Sequence, residues 1–295
     1  MNFIIKMQSM FKYIIFLFFL IGCSKTNNNS QGNQTDKINN SEIENSDSIS
    51  YSNDSTIKIL KHPFLIGDTK IYVKTSESKS PIPIRYFNMH DNENTSVDAA
   101  LSILTKYGGK IIEFDAQKTR EIKFNLNDNA YSIDPNRIYT ESGIMYTLNY
   151  YNNFSESAFN AVNKFQNEVI QNFLSDSNQI LVALHNNTNG NYSIESYLQG
   201  EENDKDASEV KINKEWDPDD FFFVTDEIIY KELLKYNVNL ALQNNKTVTD
   251  DGSFSVYCRN KSITYVNVEA QHHHLQEQIK MLEILNKVFM DIYKK

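Results

Sequence analysis

The chain has 295 residues, with 38 Asp or Glu against 29 Lys or Arg, and its formal net charge is −9. This acidic balance argues against a nucleic-acid partner, because binding to phosphates needs a basic face. The chain has only two cysteines, Cys23 and Cys258, so we expect no disulfide framework.

The first 22 residues predict a lipoprotein signal peptide. Lys6 and Lys12 precede an apolar run, 13–21, that is too short to span a bilayer comfortably. The run ends in Leu-Ile-Gly-Cys at 20–23, which resembles the lipobox of bacterial lipoproteins. That resemblance implies a lipid on Cys23, which would hold the exported chain at a membrane. The alternative is an unmodified cysteine after a cleaved signal.

Residues 23–57 predict a disordered polar tether, because a segment with so few apolar side chains cannot offset its ordering entropy. Residues 58–295 are rich in Phe, Tyr, Ile and Leu, enough for one hydrophobic core and a single large domain. We therefore expect a lipid-anchored protein of the cell envelope. Ser24 stands where aspartate would indicate retention at the inner membrane, which slightly favours the outer membrane.

Short apolar runs alternate with helical patterns along the domain. The predicted strands are 83–89, 110–114, 120–126, 130–133, 179–184, 221–224, 237–242, 254–258 and 263–268, and the predicted helices are 93–107, 155–174, 226–234 and 275–293. This alternation predicts a single α/β domain with a central mixed or mostly parallel sheet flanked by helices. The continuously apolar run 179–184 predicts a central strand. Cys258 falls in a predicted strand, and we expect it to be buried rather than reactive.

His90 and Glu93 follow the strand predicted at 83–89. Three residues apart at a junction between a strand and a helix, their side chains can turn to one side. Imidazole nitrogen and carboxylate oxygen are both good zinc ligands. Alone, the pair is equally consistent with a surface histidine beside an acid at a helix N-terminus.

His185 follows directly on the apolar run at 179–184, and Glu269 ends another predicted strand. The carboxyl ends of central strands are where α/β sheets present ligand-binding residues. Two histidines and one carboxylate leave a fourth zinc position open, as in catalytic sites. A carboxylate such as Glu269 beside that position can take a proton from water and return it to a leaving amine. Residues 186–188, Asn-Asn-Thr, predict either a pocket lining or an ordinary polar turn.

The chain has only four arginines. Arg137 lies in the loop 134–137, and its planar fork suits a carboxylate or a developing oxyanion, although Pro135 and Asn136 alone indicate only a turn. Three consecutive histidines, 272–274, follow Glu269 closely. One of them can reach the site, and a solvated helix start is the favoured alternative.

Taken together, these residues resemble a known family. His-Asp-Asn-Glu at 90–93 is similar to the HxNE zinc motif, and Asp-Pro-Asn-Arg at 134–137 to the DxNR substrate motif, of the zinc carboxypeptidase superfamily. Both are typical of its branch of succinylglutamate desuccinylases and aspartoacylases. His185 and Glu269 match that branch's third ligand and catalytic glutamate in order. The glycines that usually precede HxNE and the Phe-Pro-Gly that usually follows DxNR are absent.

The resemblance implies one Zn²⁺, and it implies a role for each matching residue. His90, Glu93 and His185 would hold the zinc, Glu269 would act as general base and then acid, Asn136 and Arg137 would bind a substrate carboxylate, and Arg120 would face the oxyanion.

The sequence thus predicts a lipid-anchored, zinc-dependent carboxypeptidase or amidohydrolase. Its substrate would be peptide-like or another anionic amide, for which location suggests peptides or peptidoglycan stem peptides. The alternative is a non-catalytic binding lipoprotein of the cell envelope that keeps the fold. A pure binding protein need not retain Glu269 together with the full ligand set. The sequence does not predict the oligomeric state.

Overall fold

A computed structural model of the chain describes residues 50–51, 57–151, 154–176 and 178–293. All of them belong to one compact unit. The predicted signal peptide, Cys23 and most of the predicted tether lie outside the described residues.

Twelve strands and six helices alternate along the described residues. The strands are β1 (Ser50–Tyr51), β2 (Lys58–Ile66), β3 (Thr69–Ser78), β4 (Ile84–Asn88), β5 (Gly109–Asp115), β6 (Ile122–Leu126), β7 (Asn129–Ile133), β8 (Ile180–Asn187), β9 (Ala207–Lys211), β10 (Phe221–Val224), β11 (Leu240–Gln243) and β12 (Thr264–Gln271). The helices are α1 (Asn94–Tyr107), α2 (Glu141–Tyr150), α3 (Glu156–Phe173), α4 (Glu227–Leu233), α5 (Phe254–Lys261) and α6 (Leu275–Tyr293).

Ten of the strands form one mixed sheet in the order β1-β2-β3-β5-β4-β8-β12-β10-β11-β9, and β6 pairs with β7 in a separate hairpin. The central strands β5, β4, β8 and β12 are parallel to one another. Antiparallel strands continue the sheet on both sides of this centre. The predicted α/β fold with a central mixed sheet is therefore confirmed.

Strand β8 lies at the middle of the parallel centre, and every one of its eight residues is buried. Its neighbours are β4 and β12, so the carboxyl ends of all three meet at one edge of the sheet. The register places Glu269 of β12 directly beside His185 of β8. His90 follows two residues after the end of β4. The topology thus gathers chemistry-bearing residues where open α/β sheets bind ligands.

Two hydrophobic clusters cover the two faces of the sheet. Helices α1, α4 and α6 pack on one face, against residues such as Val182 and Val268. Helices α2, α3 and α5 pack on the other, against residues such as Leu181 and Ala183. Successive residues of β8 alternate between the clusters because side chains along a strand point to opposite faces.

Helix α3 shows why the long helical patterns were predicted well. Its buried residues Val162, Phe165, Val169 and Phe173 lie three or four positions apart and form one apolar stripe. Ser155 caps its N-terminus by accepting a hydrogen bond from the Ala158 backbone N–H at 3.1 Å. None of the helices in the described ranges is long and apolar enough to cross a membrane.

The strand predicted at 254–258 is wrong, because these residues begin helix α5. Phe254, Tyr257 and Cys258 are buried at helical spacing. A short apolar run of aromatic and β-branched residues does not by itself distinguish a strand from a buried helix. Cys258 is nevertheless fully buried, as expected. Strands β1, β2, β3 and β9 and helix α2 were not predicted. Strand β1 lies within the segment predicted as a polar tether, and polar residues interrupt the apolar patterns of the other four elements.

Candidate metal centre

Three side chains from separate elements converge at the carboxyl edge of the central strands. His90 follows β4, Glu93 immediately precedes α1, and His185 belongs to β8. All three are buried, and each offers one ligand atom within 4.8 Å of the others. The structure therefore brings together the three residues that the sequence nominates as metal ligands.

Glu93 lies between the two imidazoles. Its Oε1 is 2.9 Å from Nδ1 of His90, and its Oε2 is 2.9 Å from Nδ1 of His185. The His90 Nδ1 contact lacks hydrogen-bond geometry, and Nε2 of His185 has no hydrogen-bond partner among the described residues. Buried nitrogens left in this way are costly. Two imidazoles and a carboxylate are a donor set that zinc prefers, so these residues fit a divalent cation.

Asp134 fixes the far side of the His90 ring. Its Oδ1 lies 2.9 Å from Nε2 of His90 and also accepts a hydrogen bond from the Asn136 backbone N–H at 2.8 Å. A carboxylate in this position orients a metal-binding histidine and selects the nitrogen that faces the metal. Asp134 is the first residue of the DxNR motif, but its contact with His90 is not predictable from the sequence.

The charges of the centre support one another. Burial lowers the pKa of His90, but the Glu93 and Asp134 carboxylates outweigh it and raise this pKa to about 9. Burial also acts to raise the pKa of Glu93, and the two histidines hold it well below its usual range. Without a metal, His90 therefore keeps a proton at neutral pH. Since a metal ligand must be deprotonated, that proton leaves when a metal binds.

Arg120 reaches the centre from the loop before β6. Its Nη1 is 2.7 Å from Oε1 of Glu93, and its Nη2 is 3.5 Å from Oδ2 of Asp134. Its side chain is still 45% exposed, so the guanidinium lies at the wall of the pocket rather than beneath it. The residue nominated for the oxyanion thus stands beside the three nominated ligands.

Glu269 projects from β12 next to His185, and only 6% of the residue is exposed. Asn267 donates a hydrogen bond to its Oε1 at 3.0 Å. Burial raises the pKa of Glu269, and the nearby Glu93 charge adds to this, against the opposing charge of His185. A raised pKa brings a carboxylate closer to neutrality, where general bases and acids work best.

A cavity of about 480 Å³ opens over this centre. Its lining includes all of the nominated catalytic, substrate-binding and metal residues except His90. Asn136 uses its side-chain oxygen to accept a hydrogen bond from the Phe254 backbone N–H, so its NH₂ group is the half that can donate to a ligand. Arg137 lies at the same wall, with Nη2 3.5 Å from Oδ2 of Asp251.

The sequence leaves undecided whether the polar segments 186–188 and 272–274 belong to the site. Residues 186–188 all line it. Of the three consecutive histidines, His272 also lines the cavity. His274, directly before α6, places its Nδ1 3.1 Å from Oδ2 of Asp220. Asp206 and Asp251 also line the cavity, and the sequence analysis did not nominate either of them. They lie far apart in sequence and in loops, where no periodicity marks them.

No protein-family model matches the chain, and no curated protein matches it. Among solved structures, a succinylglutamate desuccinylase from Silicibacter sp. TM1040 matches at 10% identity and a TM-score of 0.44, covering 84% of this chain and 71% of that one. A succinylglutamate desuccinylase/aspartoacylase from Rhodobacter sphaeroides matches at 10% identity and a TM-score of 0.42, over 80% of this chain and 64% of that one. The cell shape determinant Csd4 of Helicobacter pylori, bound to a tripeptide, matches at 10% identity and a TM-score of 0.40, over 76% and 55%. The solved structures to which the chain is similar thus include members of the desuccinylase and aspartoacylase branch that its HxNE and DxNR motifs resemble.

Proposed function

We propose that the chain is a zinc-dependent hydrolase that cleaves an amide bond in a peptide-like substrate bearing a carboxylate. One observation carries the proposal: two members of the buried group of His90, Glu93 and His185 line a cavity whose lining also contains Glu269 and Arg137. These two members are Glu93 and His185. A purely structural metal site needs neither a neighbouring proton acceptor nor an arginine in an open pocket.

His90, Glu93 and His185 would hold the zinc ion, and Asp134 would orient His90. Zinc bound there supplies Lewis-acid chemistry, which polarises a carbonyl and makes water a better nucleophile at neutral pH.

Glu269 would move the proton. Its carboxylate accepts a proton from the attacking water and later delivers that proton to the nitrogen of the amide as the C–N bond breaks. The burial that raises the pKa of Glu269 also suits its protonated form to the second step. One residue can therefore serve as base and then as acid.

The two arginines would bind different negative charges, one the developing oxyanion and the other a substrate carboxylate. Arg120 stands beside Glu93, where positive charge can stabilise the developing oxyanion. Arg137 and the NH₂ group of Asn136 would bind a substrate carboxylate, for which a planar guanidinium is well shaped.

We also propose where the protein acts. With a lipid on Cys23 and a polar tether that ends at Ser50 of β1, the domain could reach about 25 to 30 Å from a membrane. Peptides or peptidoglycan stem peptides of the cell envelope would then be its substrates.

Glu269→Gln tests the mechanism. We expect the variant to keep about one zinc per chain, because Glu269 is not among the proposed ligands, and to lose at least about 100-fold in turnover. Zinc is measured by mass spectrometry of the purified protein, and turnover by hydrolysis of a panel of N-acyl dipeptides with free or amidated carboxyl ends.

Glu201→Gln is the matched control, since Glu201 is exposed and does not line the cavity. Full activity of Glu269→Gln would remove Glu269 from the mechanism. A wild-type protein without near-stoichiometric zinc would favour the non-catalytic binding protein instead.

A further inference from the structure

Beyond the metal centre, the cavity contains a buried oxygen that lacks a donor. Asn267 is 8% exposed and lines the cavity. Its NH₂ group donates to Glu269, which fixes the orientation of the amide. Its Oδ1 is buried and has no hydrogen-bond partner among the described residues. An acceptor left in this state requires a donor, which a bound ligand can supply.

Asn267 stands two residues before Glu269 on the same face of β12. Tyr265, Asn267 and Glu269 occupy alternate positions of β12 and line the same cavity. Alternate residues of a strand share one face and are roughly 6 to 7 Å apart. Asn267 therefore lies roughly 6 to 7 Å along β12 from the proposed proton acceptor, on the same face of the strand.

Two carboxylates line the same cavity. Asp251 accepts a hydrogen bond from the Ser253 backbone N–H at 2.9 Å and lies 3.5 Å from Arg137. Asp206 accepts one from the Thr249 backbone N–H at 3.1 Å. Burial raises the pKa of Asp206, and the charge of Asp251 adds to the effect although the Thr249 hydrogen bond opposes it. Thr249, whose N–H binds Asp206, stands two residues before Asp251, so the two acids lie in the same part of the cavity.

Arg120 and Arg137 are the arginines among the described residues that line the cavity. They would not neutralise Asp206 and Asp251 once a substrate is bound. Arg120 is engaged with Glu93 and Asp134. Arg137 contacts Asp251, but a substrate carboxylate would share its charge. An anionic substrate side chain would then meet two carboxylates, and an apolar one would leave the Asn267 oxygen unpaired.

We propose that Asp206, Asp251 and the Asn267 amide oxygen form a subsite for a cationic group of the substrate residue whose carboxylate binds Arg137. This inference rests on the proposed function and names its substrate class: peptides that end in a residue with a side-chain ammonium. Tyr192 and Tyr197, joined through their hydroxyl groups, also line the cavity and would cover the alkyl part of such a side chain.

The experiment measures binding of free amino acids, which are the products that such a hydrolase releases. L-lysine and L-norleucine are titrated calorimetrically into the zinc-loaded protein, because the two differ at the end of the side chain by the ammonium group. We expect lysine to bind at least about tenfold more tightly, since charge-assisted hydrogen bonds are the strong ones. In a variant with Asp206→Asn and Asp251→Asn, the ratio of the two affinities should fall to about one.

The single variants separate the subsite from simple support of Arg137. If Asp251 only orients Arg137, Asp251→Asn weakens lysine and norleucine by the same factor. Asp206→Asn should reduce the lysine affinity alone, because Asp206 bonds to Thr249 rather than to Arg137. Glu202→Gln, an exposed acid outside the cavity lining, is the control, and circular dichroism verifies that each variant is folded.

Equal binding of lysine and norleucine, no binding of either, or an unchanged ratio in the double variant would each overturn the subsite. Hydrolysis of the dipeptide panel without a lysine preference would remove the subsite and leave the hydrolase standing. Tighter binding of lysine than of norleucine by a protein that hydrolyses none of the dipeptides would leave the subsite standing and remove the hydrolase.

Discussion

Asp134 connects three parts of the candidate site through one carboxylate. It contacts Nε2 of His90, it lies 3.5 Å from Arg120, and it caps the short turn Pro135–Arg137 that carries the proposed carboxylate-binding residues. His90 and Arg120 together hold the pKa of Asp134 well below its usual range, against the effect of burial. Asp134 is therefore charged at neutral pH, and it orients His90 by a charged hydrogen bond.

Asp134→Asn should weaken zinc binding by about 10- to 100-fold, because the neutral amide orients His90 less firmly and lowers the basicity of its ring. Competition with a chromophoric chelator measures the affinity. Asp128→Asn is the control, since Asp128 is exposed in a turn with φ of 62°, a conformation that asparagine tolerates well. Unchanged zinc affinity in Asp134→Asn would show that the contact does not support the metal site.

Among the elements, α3 forms much of the cluster on the α2, α3 and α5 face of the sheet. Its apolar stripe packs with Phe64 of β2 and Phe114 of β5, which contact Phe165 at ring-centroid distances of 6.0 and 5.9 Å. The helix begins at a serine cap whose hydroxyl group also lies 3.0 Å from the Tyr131 hydroxyl group. Ser155 thus connects α3 to the β6–β7 hairpin. It also accepts a hydrogen bond from one of the N–H groups at the start of the helix that would otherwise be unpaired.

Ser155→Ala should destabilise the protein by about 1 kcal/mol, because the Ala158 N–H loses its acceptor. Urea denaturation followed by circular dichroism gives the free energy of unfolding. Ser102→Ala, on the exposed surface of α1, should be neutral or slightly stabilising, since alanine has the higher helix propensity. Equal stability of wild type and Ser155→Ala would contradict the role of the cap.

At the scale of the whole molecule, the domain begins at β1, Ser50–Tyr51, and we propose that its anchor is at Cys23. The candidate site and its cavity lie wholly among residues of the domain. The anchor would therefore determine where the protein acts and leave its chemistry unchanged.

Cys23→Ser should abolish labelling of the protein by a radioactive fatty acid in bacterial cells, because the serine hydroxyl group does not replace the thiol that carries the lipid. Gel electrophoresis of the immunoprecipitated protein measures the label. Ser24→Ala should retain it. Persistent labelling of Cys23→Ser would place the lipid elsewhere or show that the lipobox is a chance pattern.

Local periodicity made much of the fold predictable. The apolar run at β8, the stripes of α3 and α6 and the turn between β6 and β7 each express a pattern within one element. The nominated ligands were likewise recognisable because each stands at the end of a strand or the start of a helix. Helix α5 was predicted as a strand because its apolar run is too short for periodicity to decide.

By itself, the sequence determined the α/β class, the strands of the parallel centre and the candidate residues of the metal centre, since all of these depend on neighbours along the chain. Only the tertiary structure decided which side chains meet. The contact of Asp134 with His90 spans 44 residues, and Asp251 reaches Arg137 from a different loop. Such contacts produce no periodic pattern in the sequence, because the packing of the whole sheet and its loops determines which side chains meet. The metal centre could thus be nominated from sequence, whereas the residues that orient it and the proposed cationic subsite could not.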